Sequence, residues 1–360
     1  MSAEHPEITS AMKIVIVGGV AGGMSAATRA RRLNESAEIT VYEQGPYVSL
    51  ANCGLPYFVG GTIATRDALL LQTPESLWSR FRIDVRVHSR VVSVDPASKT
   101  VTVVNVTTGD TTHDSYDVLI LSTGAAPRAV DIPGIERAHT LRDVPDAVAI
   151  KVAAKRLGAS TAVILGAGFI GVELAENLTA QGLRVTLVQS GSTILAPFDE
   201  EMIQPFQAHL VSEGIRLKLG AVATEIGDRT VHLSSGAQIE ADIVVSAIGV
   251  APDHALALDA GLRLGESGAV WVDEHQRTSD PHIYAVGDMA EKMQFVTGEG
   301  QPIWLANLAN RHGRLVADVV AGDGASARPS IGTGIIGAFG MVAAFTGLTE
   351  KVARARGIPH

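Results

Sequence analysis

A chain of 360 residues exceeds one ordinary hydrophobic core, and 46% apolar residues, 37 glycines and only 4% aromatics suit two or three α/β domains with tight strand-to-helix turns rather than a disordered or fibrous chain. A formal net charge of -9 speaks against general binding to nucleic acid or anionic membrane, both of which call for a basic face. One cysteine excludes an intrachain disulfide framework, and without a charged segment leading into an apolar one at the start, a reducing cytoplasm is the expected compartment.

Residues 1–11 read as a solvated leader. Residues 13–17, KIVIV, are a short apolar run of the buried parallel-strand kind and lead directly into Gly18-Gly19-Val20-Ala21-Gly22-Gly23 and a helical pattern through Leu33. The next strand-like run, EITVYE at 38–43, ends on an acid, as expected of a βαβ dinucleotide unit. Gly18 permits the tight turn, Gly22 and Gly23 let backbone amides and the helix N-terminus reach a pyrophosphate, and Glu43 can accept both hydroxyls of an adenosine ribose. Val20 stands at the middle glycine position, so strict GxGxxG spacing is broken. The helix carries Arg29 and Arg32, suited either to phosphate binding or to a solvated basic face.

The sole cysteine, Cys53, lies in PYVSLANCGLPYFVGG at 46–61, among small, polar and turn-forming residues. Gly54-Leu55-Pro56 predicts a helix with proline in its first turn, which would point the thiol at free amides and a positive dipole end and lower its pKa. Further on, LILSTGAAP at 119–127 and VVSAIGVAP at 244–252 read as strand-to-turn junctions that return the chain between domains.

Between those junctions the dinucleotide unit recurs. TAVIL at 161–165 enters Gly166-Ala167-Gly168-Phe169-Ile170-Gly171, a complete GxGxxG, followed by a helix over 172–181 and the strand RVTLVQ at 184–189, ending on Gln189. Two such units imply two dinucleotides, naturally a flavin and a nicotinamide nucleotide. YAVGD at 284–288 ends a strand on Asp288, either a helix cap or an acceptor for the flavin's ribityl or phosphate region. Residues 330–349 carry no charge over a bilayer-spanning length, but their five glycines suit strands and turns, so no membrane span is expected.

The motifs GGVAGG, VYE, SLANCGLPY, STGAAP, GAGFIGVE, SAIGVAP, TSDPHIYAVGD and LANRHGR make the chain from residue 12 onward resemble the pyridine nucleotide-disulfide oxidoreductases. The resemblance implies two Rossmann-like dinucleotide-binding domains of three-layer ββα type, with FAD-binding segments at 12–130 and 266–325, an NAD(P)-binding domain at 131–265, and at 326–360 the start of an α+β dimerisation domain. Within the family, SLANCGLPY resembles the single-cysteine branch of coenzyme A disulfide reductases and persulfide or polysulfide reductases. NADH oxidases and peroxidases, the alternative, carry a histidine in the first glycine turn, where this chain has Val20-Ala21-Gly22.

The implied reaction passes reducing equivalents from NADH or NADPH through FAD to a mixed disulfide between Cys53 and coenzyme A, so the second sulfur comes from a small-molecule disulfide or persulfide. Ser49 and Asn52 would contact coenzyme A near the thiol, and Arg29 and Arg32 its phosphates. The relatives' lysine further along this pocket is replaced by Arg80-Phe81-Arg82. FAD binding falls to Gly18, Val20, Ala21, Gly22, Glu43, Thr123, Gly124 and Asp288. NAD(P)H binding falls to Gly166, Gly168, Phe169, Ile170, Gly171, Glu173, Gln189 and Gly249, with Phe169 gating the nicotinamide pocket unless Phe169 and Glu173 merely pack. Glu176 is expected to be an ordinary helix-surface charge. Metal ligands are not expected. A homodimer is implied, but the resemblance covers only the start of the dimerisation domain. The residues Ile331, Ile335, Ile336, Phe339, Val342 and Phe345 are therefore expected to be exposed, and a flavin-binding, redox-responsive or incomplete chain with little disulfide turnover remains the other reading.

Overall fold

The apolar run Lys13–Val17 is the middle strand of a five-stranded parallel sheet, flanked by Val118–Leu121 and then Ile283–Ala285 on one side and by Glu38–Tyr42 and then Asp84–Arg86 on the other. This computed structural model describes residues 11–360 apart from Leu157; residues 1–10 of the expected leader lie outside the described residues. Strands buried on both faces need apolar residues throughout, which is why KIVIV shows no alternation. One face is covered by helices α1 (Ala21–Leu33) and, from far along the chain, α8 (Ala306–Val320), through Ile14, Ile16, Ala26, Ala30, Val316 and Ala317. The other is covered by a three-stranded antiparallel sheet, Ser89–Asp95, Thr100–Asn105 and Thr111–Ser115, through Val15, Val17, Val91, Val101, Leu119 and Leu121. These are the three ββα layers.

The segment between Glu43 and the sheet's edge strand supplies two short helices, α2 (Leu55–Gly60) and α3 (Pro74–Phe81). Then α4 (Val144–Ala154) opens a second unit with the same plan. Its parallel sheet runs Arg216–Leu219, Arg184–Gln189, Thr161–Leu165, Ile243–Ser246, with α5 (Phe169–Ala180) after the glycine turn and α6 (Glu200–Ser212) beyond. A small antiparallel sheet, Ala223–Ile226, Thr230–Leu233 and Gln238–Glu240, covers one face. The two junctions pair with each other: Ala125–Pro127 and Val250–Pro252 are antiparallel, the second leading to α7 (Ala255–Asp259).

Residues 330–349 hold an antiparallel hairpin, Thr333–Ala338 with Met341–Thr346, followed by α9 (Glu350–Ala355), and no helix among the described residues is long and apolar enough to cross a membrane. The hairpin lies on α5 and α6, so its alternation splits it. Ile336 is buried and Phe339 and Phe345 are half-buried, whereas Ile331, Ile335 and Val342 are exposed; the expected exposure of all six is corrected to these three. Glu176 is also corrected. It is no free surface charge, because its Oε1 accepts from Phe339 N at 2.6 Å, while His209 Nε2 lies 2.9 Å from Phe339 O. Asp199 accepts the first amides of α9, from Glu350 at 2.7 Å and Lys351 at 3.0 Å.

Candidate active site

Gly18 sits at φ 101°, donates its N–H to Tyr42 O at 2.8 Å, and would place a Cβ 2.2 Å from Ser122 O, so only glycine fits. Glu43 locks the turn from the side, its Oε2 accepting from Gly19 N and its Oε1 from Gly45 N, both at 2.8 Å. The second turn repeats this construction. Gly166 has φ 102°, donates to Val188 O at 2.7 Å, and its Cβ would meet Ala247 O at 2.2 Å, while Gln189 Oε1 stands in for Glu43 by accepting from Ala167 N at 3.0 Å. At the third glycine position, a Cβ on Gly23 or Gly171 would lie 2.0 or 2.1 Å from the carbonyl oxygen of Gly18 or Gly166, which lets each helix start against its own turn. Gly23 is therefore the structural counterpart of Gly171.

A cleft of about 1050 Å³ opens over the first turn. It is lined by Gly18, Val20, Ala21, Gly22 and Glu43, by Thr123, Gly124 and Asp288, and also by Ser49, Asn52 and Cys53. Cys53 is exposed in the tight turn Asn52–Gly54 that opens α2, with Pro56 in the first helical turn as expected. Ser49 ties this loop to the glycine turn. Its N–H donates to Gly19 O at 2.8 Å, its carbonyl accepts from Leu71 N at 2.9 Å, and its φ of 53° is a left-handed conformation costing a non-glycine residue about 1–3 kcal/mol. The far end of α2 is held by the second unit, where Lys151 Nζ donates to Phe58 O at 2.6 Å and Gln181 Nε2 donates to Gly60 O.

A family model for pyridine nucleotide-disulphide oxidoreductases matches residues 12–302. The chain belongs to this family. It is 33% identical over 351 residues to the NAD(P)H coenzyme A polysulfide/persulfide reductase of Pyrococcus horikoshii, covering 96% of this chain and 78% of that protein. It is 34% identical over 311 residues to the coenzyme A disulfide reductase of Staphylococcus haemolyticus, covering 86% and 70%. The reduced Bacillus anthracis CoADR-RHD structure superposes with a TM-score of 0.95 at 44% identity over 98% of this chain, which spans only 64% of that longer one.

As a pyridine nucleotide-disulphide oxidoreductase with one cysteine, the chain can form a disulfide only with a sulfur from another molecule. The electrostatics around that thiol correct the expectation of a lowered pKa. Although the thiol is solvent-accessible, the protein around it withdraws part of its hydration, which pushes Cys53 above its ordinary value; the Glu173 carboxylate adds to this, while its own backbone N–H pulls the other way. The six-residue α2 has too few aligned peptides to reverse the balance. Glu173 itself is pushed up to about 7, by burial and then by Glu176.

The structure separates the two arginines. Of the two arginines of α1 expected at substrate phosphates, Arg32 lines the cleft, whereas Arg29 does not, its Nε donating to Asp318 Oδ1 on α8 at 2.7 Å. Arg80, which opens the Arg80-Phe81-Arg82 stretch noted in place of the relatives' lysine, lines the cleft with Arg32, and their guanidinium carbons lie 5.2 and 6.0 Å from the ring centre of Phe81. Among the described residues neither is in an ion pair, whereas Arg29 is. Ser25 and Asn310, unforeseen in the sequence, line the cleft as a hydrogen-bonded pair at 3.0 Å. Their signal is spatial only, 285 residues apart.

The residues expected at the nicotinamide nucleotide gather around the second turn and do not line this cleft: Gly166, Gly168, Phe169, Ile170, Gly171, Glu173 and Gln189, with Gly249 two residues beyond the carbonyl that Gly166 approaches. The ring centre of Phe169 lies 6.3 Å from that of Phe345, whose own centre lies 5.2 Å from that of Phe198 in an edge-on arrangement, a contact between α5 and the hairpin. Thr123 Oγ1 donates to Asp253 O at 2.6 Å beside the crossing junctions. Among the described residues no cluster of metal-ligating side chains occurs.

Proposed function

We propose that the chain is an FAD-dependent NAD(P)H oxidoreductase that reduces coenzyme A disulfide, or a coenzyme A persulfide or polysulfide, through Cys53. The observation that carries this reading is the exposed sole thiol lining the cleft that opens over the first glycine turn, with Arg32 and Arg80 lining the same cleft. The printed names of the two relatives, one a coenzyme A polysulfide/persulfide reductase and one a coenzyme A disulfide reductase, support the substrate class.

The residues fit FAD. The amides opening α1 suit a pyrophosphate, Glu43 keeps a spare lone pair on each oxygen for ribose hydroxyls, and Asp288 offers an acceptor on the cleft wall. FAD, when bound, supplies two-electron exchange between nicotinamide and sulfur. The second turn holds the nicotinamide nucleotide. Cys53 as thiolate attacks one sulfur of coenzyme A disulfide: the Cys53–S bond forms, the S–S bond breaks, and coenzyme A thiolate leaves. Two electrons and a proton from NAD(P)H balance release of the second thiol. Arg32 and Arg80 meet phosphates of the substrate, and Ser49 and Asn52 orient its sulfur.

Anaerobic titration of the purified protein with NAD(P)H tests this reading: the flavin bleaches and coenzyme A disulfide or persulfide restores its colour. Bleaching that neither oxidant reverses would overturn it. Discrimination between NADH and NADPH is expected to be weak, because Gln189, already engaged with Ala167 N, neither repels a 2'-phosphate nor supplies a cation to select it. A kcat/KM ratio beyond roughly a hundredfold, about 2.7 kcal/mol, would assign the choice to another residue.

A free exposed thiol suits the reducing cytoplasm. The outer hairpin face, with Ile331, Ile335 and Val342 exposed, suits a homodimer contact. Sedimentation velocity at micromolar concentration is expected to give a dimer, and a monodisperse monomer would remove that assignment.

A further inference from the structure

Behind the turn that carries Asp288 to the cleft lies a buried ammonium that the reaction above does not use. Lys292 is only 3% exposed, and its Nζ donates to Ala290 O at 2.9 Å and to Gly287 O. Those two carbonyls bracket the tight turn Gly287–Met289, whose middle residue, Asp288, lines the cleft. Among the described residues no carboxylate lies within ion-pair distance of Nζ, so the cation is compensated by two peptide dipoles and, at longer range, by Asp288. An ammonium held this way is costly to bury, and an anion brought into the cleft beside the turn would offset that cost.

We propose that Lys292 is a positioning residue for the dinucleotide of this cleft: by donating to the carbonyls of Gly287 and Ala290, its ammonium fixes the turn that presents Asp288 to the cofactor. The proposal rests on the FAD reading above. The same charge acts on Asp288, because burial pushes its carboxyl up and Lys292 is the group that opposes this. Lys292 is in turn drawn down to about 8 by burial, against the pull of Asp288. The other charged or titratable groups acting here come from α8. His312, buried with an unpartnered Nδ1, is pushed down to about 4 by burial, then by Lys292 and Arg311, and so is neutral throughout the working range. Glu291, the buried neighbour in sequence, accepts from Ser267 Oγ at 2.7 Å, so among the described groups around Nζ the one drawn to about 8 is the lysine itself.

The linkage has a definite sign. Bound FAD stabilises the ammonium and raises its pKa, so FAD affinity is full below pH 8 and falls as the pH rises through that value and above. The test measures the FAD dissociation constant by flavin fluorescence quenching from pH 6.5 to 9.5, in the apoprotein of the native chain and of Lys292→Met and Lys292→Gln. Native protein is expected to lose affinity by about tenfold per pH unit at most above pH 8. Lys292→Met is expected to bind at least about tenfold more weakly at pH 7 and without that pH dependence, with Lys292→Gln between the two because its amide still donates to the turn. A variant that binds like the native chain at every pH would overturn the proposal, and so would a flat native profile, which is decisive even if both variants fail to fold. A native chain that binds no FAD at any pH would overturn the cofactor reading itself.

Discussion

Replacing Cys53 by serine is expected to reduce disulfide turnover by more than about a thousandfold while leaving bleaching of the flavin by NAD(P)H largely intact. The chain contains no second sulfur nucleophile of this kind, and a hydroxyl neither ionises near neutral pH nor exchanges with a disulfide. Stopped-flow measurement of the two half-reactions separates them, and a serine variant reducing coenzyme A disulfide at the native rate would remove Cys53 from the mechanism. The same thiol has a predictable pH response. Glu173 gains its charge as pH rises through about 7, and that charge disfavours the neighbouring thiolate. Glu173→Gln is accordingly expected to shift the pH profile of Cys53 alkylation by iodoacetamide to lower pH in matched preparations. An unchanged profile would show that burial alone sets the thiol.

The second large effect lies in the backbone. Gly18→Ala is expected to cost about 2 kcal/mol or more and to yield protein without flavin, since the new Cβ meets Ser122 O at 2.2 Å in a conformation that L-residues avoid. Gly166→Ala meets Ala247 O at the same 2.2 Å, but in the other unit. It should therefore purify with flavin yet fail to be reduced by NAD(P)H. Gly236→Ala is the control: its φ of 81° is also positive, but it lies away from the cleft and nothing is within 4 Å of the added methyl, so only the conformational penalty of about 1 kcal/mol applies. Thermal melts and the flavin-to-protein absorbance ratio read all three. Equal flavin loss in the Gly18 and Gly166 variants would contradict the assignment of separate dinucleotides to the two turns.

Much of the site was legible in the sequence because its parts are local. A glycine turn between an apolar strand and a helix, with an acid or amide ending the next strand, needs residues within about thirty positions, and both turns fold as those spacings require. The proline after Cys53 likewise announces the short helix that it opens. Arg29 and Arg32 were indistinguishable in the sequence, since both sit on one helix three residues apart. Asp318, 289 positions away, engages the first. Glu176 looked like a surface charge until the hairpin laid Phe339 against it.

By itself, then, the sequence determined the two dinucleotide turns, the layered α/β units built on them and the solitary thiol, because hydrophobic period, glycine sterics and residue count act over short stretches or the whole composition. Tertiary structure alone decided which arginines reach the cleft, which face of the hairpin is covered, and the direction in which the Cys53 pKa moves. It also placed Lys292 behind the turn that carries Asp288. Each of these depends on burial and on charges contributed by distant segments, and desolvation, the largest cause acting on Cys53, Glu173 and Lys292, exists only once the units have packed together.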